Sequence, residues 1–283
     1  MKSEKSKALW EVIRSWLPWT LIPLILGVLA AIAIPIPKIG VISFNDAIYD
    51  YSSQYLMAQI RYAREHPEIR AVVLKINSPG GTVVDTEAVY LELIRLRQKK
   101  PVVATVGGMA ASGGYYLISG TDYVYAKPTS SIGNVGVIGY LPPAPFLYEE
   151  IISTGPYKLW GSPRDTYQRE IEAIKQGFYQ AVIAGRGDRL EIGPETLLRG
   201  QIWPGTQALE LGLIDALGSD SDAIEKAAEM AKVWHYDVID VIGTIIETFE
   251  PTKFYASVDG VNLPYPEKPG LYMLYIPPLP TSK

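Results

Sequence analysis

The stretch Gly107-Gly108-Met109-Ala110-Ala111-Ser112-Gly113-Gly114-Tyr115-Tyr116 comes after a strand-like run, Val102 to Val106, and sets one serine among very small residues. Small residues at a strand-to-helix turn let the backbone bend sharply and expose the hydroxyl. The N–H groups just past the serine stay free to face a developing negative charge. That is a setting for a nucleophile. Alanine, serine and glycine in succession also suit tight packing of a helix against a neighbouring backbone, so the motif alone leaves both readings open.

Working outward, Ala71-Val72-Val73-Leu74-Lys75-Ile76 reads as a buried strand that runs into Asn77-Ser78-Pro79-Gly80-Gly81 and then into a helical pattern from Val83 to Arg97. A Gly-Gly turn leaving a strand end presents unpaired N–H groups, the material of an oxyanion hole. Further strands are expected at Lys38 to Phe44 and Tyr123 to Ala126, and helices at Asp46 to His66 and from near Ser112. Strand and helix alternating in this order imply a largely parallel sheet covered by helices, an α/β domain. Beyond it, the pattern predicts a helix at Phe146 to Ser153 and a short strand at Pro156 to Leu159. Arg164 to Gly185 reads as a long amphipathic helix whose charged side is most simply a solvated face. Shorter helices are expected at Glu195 to Arg199 and Thr206 to Leu211, with Asp220 to Lys232 closing the compact part and a strand-like Tyr236 to Ile242 beginning the tail.

Composition narrows the function. The 283 residues are 48% apolar with a net charge of −4, which excludes a disordered chain and argues against a nucleic-acid partner, whose footprint is a basic excess. There is no cysteine, so thiolate catalysis and zinc–thiolate sites are excluded. His66 and His235 are the two histidines, and neither has metal-ligand spacing, so no metal is expected.

From Leu17 to Ile36 twenty residues carry no charge, the length a helix needs to cross a bilayer core. Pro18, Pro23 and Pro35 are tolerable near the ends of such a span, and Trp10, Trp16 and Trp19 suit the headgroup interface. Lys2, Lys5, Lys7 and Arg14 precede it, which leaves the N-terminus cytoplasmic and sends the rest across the membrane. A cleaved signal peptide is the rival, with Ala31-Ile32-Ala33 as a weak site, but the apolar stretch exceeds the usual signal core. The expected organisation is therefore a cytoplasmic segment 1–16, a transmembrane anchor 17–36, a domain 37–232 and a Pro- and Tyr-rich extension 233–283.

A serine hydroxyl attacks poorly until a neighbouring base takes its proton. His66 sits at the end of an expected helix, where capping is the ordinary role, and His235 comes just after the last core helix. Lysine remains, provided apolar surroundings favour its neutral form. Lys158 fits best, flanked by Tyr157, Leu159 and Trp160, although on local sequence alone a surface lysine covering aromatic neighbours with its stem is the favoured reading of that segment. Lys75 and Lys127 compete.

Taken together these motifs resemble the S49 serine peptidases, the signal peptide peptidase A family of membrane-anchored enzymes within the crotonase/Clp-protease fold. The likeness spans about Ile39 to Lys232 and rests on Asn77 to Gly81, Gly108 to Tyr116, and Gly155-Pro156-Tyr157-Lys158 with Ser162-Pro163 close behind. It implies a repeated β-β-α superhelical domain behind one transmembrane helix. Ser112 would be the nucleophile, Lys158 the general base, and Gly80, Gly81 and Gly113 the oxyanion hole. Where the family usually shows Thr-Gly-Ser-Ile-Gly-Val, this chain has Ile132-Gly133-Asn134-Val135-Gly136-Val137, so Asn134 stands where a serine is thought to hydrogen-bond the lysine. An amide oxygen can still accept from an amine.

The resemblance further implies a homo-oligomer in which serine and lysine meet across a subunit interface, and no cofactor. The implied substrates are remnant signal peptides and other short or unfolded chains at the extracytoplasmic membrane face. Two rivals stand beside it. One is a catalytically silent ring that holds peptides or membrane proteins; the other is acyl-CoA chemistry, against which the membrane span and orientation speak.

Overall fold

The computed structural model describes residues 16–27, 35–140, 152–155, 157–159, 161–248, 255–258 and 261–264. Residues 16–27 form a first helix, α1, whose Leu17, Leu21, Ile22, Leu24, Ile25 and Leu26 are exposed. Among the described residues no helix is long and apolar enough to cross a membrane. Residues 28–34 of the expected anchor lie outside the described ones, as does most of the expected Phe146 to Ser153 helix.

The next elements alternate as the sequence predicts: β1 (Lys38–Phe44), α2 (Asp50–Glu65), β2 (Ile69–Ser78), α3 (Val83–Arg97), β3 (Val102–Ala111), α4 (Gly113–Ser119) and β4 (Tyr123–Ala126). After them come β5 (Ser131–Gly133), α5 (Arg164–Arg186), α6 (Pro194–Leu197), β6 (Ile202–Pro204), α7 (Gly205–Glu210), β7 (Ala216–Leu217), α8 (Asp220–Ala231), β8 (Asp237–Asp240) and α9 (Val241–Thr248). Strands run in the order β6-β5-β3-β2-β1-β8, with β4 pairing β3 and β7. All these pairings are parallel except β5 with β6.

Helices on both faces explain why the central strands read as continuous apolar runs rather than alternating ones. Ile39, Ala71, Val73 and Val103 face Ala223, Ala227 and Ala228 of α8, where alanines let the helix lie close to the sheet. On α2 and α3, Leu56, Ile60, Leu93 and Leu96 are fully or almost fully buried. Burying side chains of this kind stabilises by roughly 1.5–3 kcal/mol each before chain entropy is counted.

The strand β3 carries the decisive irregularity. It stays in register with β2 from Val72↔Val102 to Ile76↔Val106, and the next pair is Ser78↔Ala110, so Asn77 alone opposes Gly107, Gly108 and Met109. Across this bulge β3 changes its other neighbour, from β4 over Val103 to Val106 to β5 over Met109 to Ala111. A bulge bends its strand and re-aims the residues beyond it, and the residue directly after this strand is Ser112.

Two expectations change. Residues 157–159 form a turn rather than a strand, as suits a short run bracketed by Pro156 and Gly161. In the stretch assigned to the extension, β8 pairs parallel with β1, and the compact unit runs to Val241. The second unit, Ile242–Lys283, contains β9 (Tyr255–Val258) and β10 (Val261–Pro264), paired antiparallel.

Candidate active site

Ser112 directly follows β3 and caps α4 with φ 51° and ψ −124°. A non-glycine residue with positive φ costs about 1–3 kcal/mol and persists only where its surroundings over-determine it. They do here: its N–H donates to Gly133 O at 2.9 Å, and its carbonyl accepts from Tyr116 N at 2.9 Å.

Beside it runs the turn after β2. Gly80 has φ +97°, and a Cβ there would stand 2.7 Å from Gly113 N and 2.8 Å from Ser112 Cβ, so only glycine permits the approach. The turn is pinned by Ile48, whose N–H donates to Gly80 O and whose carbonyl accepts from Thr82 N, both at 2.9 Å. Gly80 N–H itself donates to Ser78 Oγ at 3.2 Å. Gly81 and Gly113 are different: among the described residues neither N–H has an acceptor. A Cβ built on Gly113 would lie 3.3 Å from Gly81 N, so these two donors stand close together beside the serine.

Ser112, Gly113 and Gly81 line a cavity of about 440 Å³. Its apolar wall includes Val83, Ile174 and Phe178, and the Tyr116 ring packs on Phe178 with centroids 4.8 Å apart. Burial, then the Glu87 carboxylate, pushes the Tyr116 phenol up to about 12, so it stays a hydrogen-bond donor. Asn134 lines the cavity too, in a left-handed conformation of φ 58°. Its N–H donates to Gln201 O and its Nδ2 to Gly200 O, each at 2.7 Å, which leaves the side-chain oxygen as the uncommitted acceptor.

The sequence-expected residues therefore separate. Ser112, Gly81, Gly113 and Asn134 come together at one cavity, with Gly80 packed behind Ser112 and Gly113. Lys158 is exposed and does not line that cavity. Nor do Lys75, paired with Asp220 at 2.8 Å, and Lys127, whose Nζ is 3.9 Å from the same carboxylate. His66 caps α2 through Nδ1, 2.8 Å from Tyr62 O, and His235 is exposed.

One lysine reached the cavity unannounced. Lys175 of α5 lines it, paired with Glu172 at 2.6 Å. The signal was present in the apolar stripe Ile171, Ile174, Phe178 and Val182, which marks the face of α5 that turns inward.

Fold and site together define an α/β protein of Clp-protease type, with a serine at a strained strand-to-helix elbow beside two free N–H groups. The family model described as Clp protease matches residues 32–132, and that of Peptidase family S49 matches residues 94–234. Protease 4 of Salmonella typhi is 33% identical over 231 residues, 74% of this chain and 37% of that protein. A putative protease of Synechocystis sp. is 34% identical over 208 residues, 69% of this chain and 74% of that one. A putative signal peptide peptidase SppA of Enterococcus faecium is 26% identical over 204 residues, covering 67% and 59%. The chain belongs to peptidase family S49. It spans little more than a third of the length of the Protease 4 relatives it matches.

Proposed function

We propose that this chain is a membrane-anchored serine endopeptidase in which Ser112 is the nucleophile and Lys158 of a neighbouring copy is the general base. The observation that carries this is Ser112 held at positive φ on the cavity, beside the unpaired N–H groups of Gly81 and Gly113, in a chain of the S49 family. The free amine of Lys158 takes the hydroxyl proton as Oγ attacks the peptide carbonyl carbon. Gly81 and Gly113 N–H receive the oxyanion, the lysine returns the proton to the leaving amine, and water then hydrolyses the acyl-enzyme. Gly80 serves by its missing Cβ rather than by its N–H, which Ser78 occupies.

That Lys158 is exposed and absent from the cavity of its own chain supports a homo-oligomer whose active sites form between subunits. In such an assembly the Asn134 side-chain oxygen accepts from the incoming amine and orients it. The neighbour switch of β3 at its bulge supports a repeated β-β-α superhelix of the crotonase/Clp-protease kind. The uncovered apolar side chains of α1 support a single-pass anchor, and Lys2, Lys5, Lys7 and Arg14 ahead of it support an extracytoplasmic catalytic domain. Substrates are then remnant signal peptides, in line with the words 'signal peptide peptidase' in the printed name of the Enterococcus relative, and other short or unfolded chains.

The test is hydrolysis of fluorogenic peptides by the detergent-solubilised full chain and two variants. Ser112→Ala and Lys158→Ala should each lower kcat/KM at least about a thousandfold with unchanged oligomer size. Parental activity in either variant overturns the mechanism.

A further inference from the structure

We propose that Asn77 and Ser130 are positioning residues that clamp the Gly107–Met109 bulge from its two sides and so set where the Ser112 hydroxyl stands. The bulge interrupts the β2–β3 ladder, because one residue of β2 faces three of β3. An interrupted ladder leaves backbone groups to be satisfied by something other than the opposite strand.

On the β2 side the substitute is a side chain. Asn77 Oδ1 accepts from Met109 N at 3.1 Å, standing in for the carbonyl that a regular strand would offer. Gly107 and Gly108 make room for it: a Cβ on Gly107 would lie 3.3 Å from Asn77 Cβ, and one on Gly108 would lie 3.2 Å from Asn77 Oδ1. On the β4–β5 side, buried Ser130 donates from Oγ to Gly107 O at 2.6 Å while accepting from Lys127 N at 3.1 Å. The Asn77 bond fixes the far end of the bulge and the Ser130 bond its near end. From Met109 the strand makes three pairs with β5, at Met109, Ala110 and Ala111, and then reaches Ser112. A slip at the bulge is therefore passed on to the nucleophile, and misplacement by about 1 Å can cost about a hundredfold in rate.

The inference rests on the proposed role of Ser112, and its test separates the two. Asn77 is exposed, so its replacement removes the bond without opening the core. Asn77→Ala should lower kcat about 10- to 100-fold, with KM within about twofold and an unchanged melting temperature. Asn77→Asp, which keeps an acceptor, should recover most of that loss, and Ser130→Thr should retain activity where Ser130→Ala does not. Amide hydrogen exchange reads the clamp without any chemistry: Met109 N–H should lose protection in Asn77→Ala and keep it in Asn77→Asp. If the parent enzyme cleaves no peptide, the function fails while the exchange experiment still decides the clamp. Unchanged Met109 protection in Asn77→Ala, or kcat within about twofold of the parent in an active enzyme, overturns the proposal.

Discussion

At the scale of single residues, the site is made as much by absent atoms as by present ones. A methyl on Gly113 would meet Thr86 Oγ1 at 2.6 Å and Gly81 N at 3.3 Å, in a place where Thr86 is already committed to Thr82 O at 2.7 Å. Alanine favours a helix over glycine by about 1 kcal/mol, yet this clash costs about 1–3 kcal/mol, and it pushes one proposed oxyanion donor off its mark. Gly113→Ala should therefore lower the melting temperature and reduce kcat about 100-fold or more. Gly177 of α5 is the control: nothing lies within 4 Å of an added methyl, and Gly177→Ala should stabilise the protein by about 0.5–1 kcal/mol with activity intact. Equal effects of the two substitutions in denaturation and peptide-cleavage assays would contradict this geometry.

Between elements, α2 and α3 are tied by a half-buried charge cluster. Glu92 meets Arg64 at 2.5 Å, Arg95 at 2.7 Å and Arg61 at 3.6 Å. Burial alone would raise the Glu92 carboxyl, but Arg64, with Arg61 and Arg95, outweighs it and holds the group below the usual carboxylate range. A carboxyl depressed in the folded state contributes stability that is full above its unfolded pKa of about 4.3 and is lost as pH falls through the folded value. Urea denaturation should show the parent more stable than Glu92→Gln by about 1–3 kcal/mol near neutral pH, with the difference shrinking below about pH 4. A difference that grows in acid would contradict the cluster's role. The elements themselves were largely legible, since β1, β2, α3 and β4 emerge directly from apolar runs and helical spacing. The illegible part depends on pairing at a distance. Gly107-Gly108 reads locally as the end of a strand, and only Asn77 across the ladder reveals that β3 continues to Ala111. The charged side of α5 is solvated, as its pattern predicts, while Phe178 and Ile174 of the other face close a cavity that no local pattern announced. The motifs that carry the resemblance contain Ser112, Gly81 and Gly113, which the fold gathers at one cavity with Asn134, the position where the chain departs from the family pattern, whereas Lys175 had no motif to announce it.

At the scale of the whole molecule, a single chain holds the proposed nucleophile at a strained elbow beside the proposed oxyanion donors, and carries the proposed base on a separate exposed turn. The proposed self-assembly would reconcile these, since a head-to-tail contact between copies would bring one subunit's turn to the next subunit's cavity. The exposed apolar side chains of α1 would gather such copies at a membrane and raise their effective concentration. The most direct measurement is complementation between inactive subunits. Ser112→Ala and Lys158→Ala proteins, each inert alone, are dissociated, mixed in equal amounts and reassembled. Random assembly joins an intact serine to an intact lysine in about a quarter of the pairings, so peptide cleavage should return to about a quarter of the parental rate. A mixture as inert as its parts, in oligomers shown to contain both variants, would contradict a site shared between subunits.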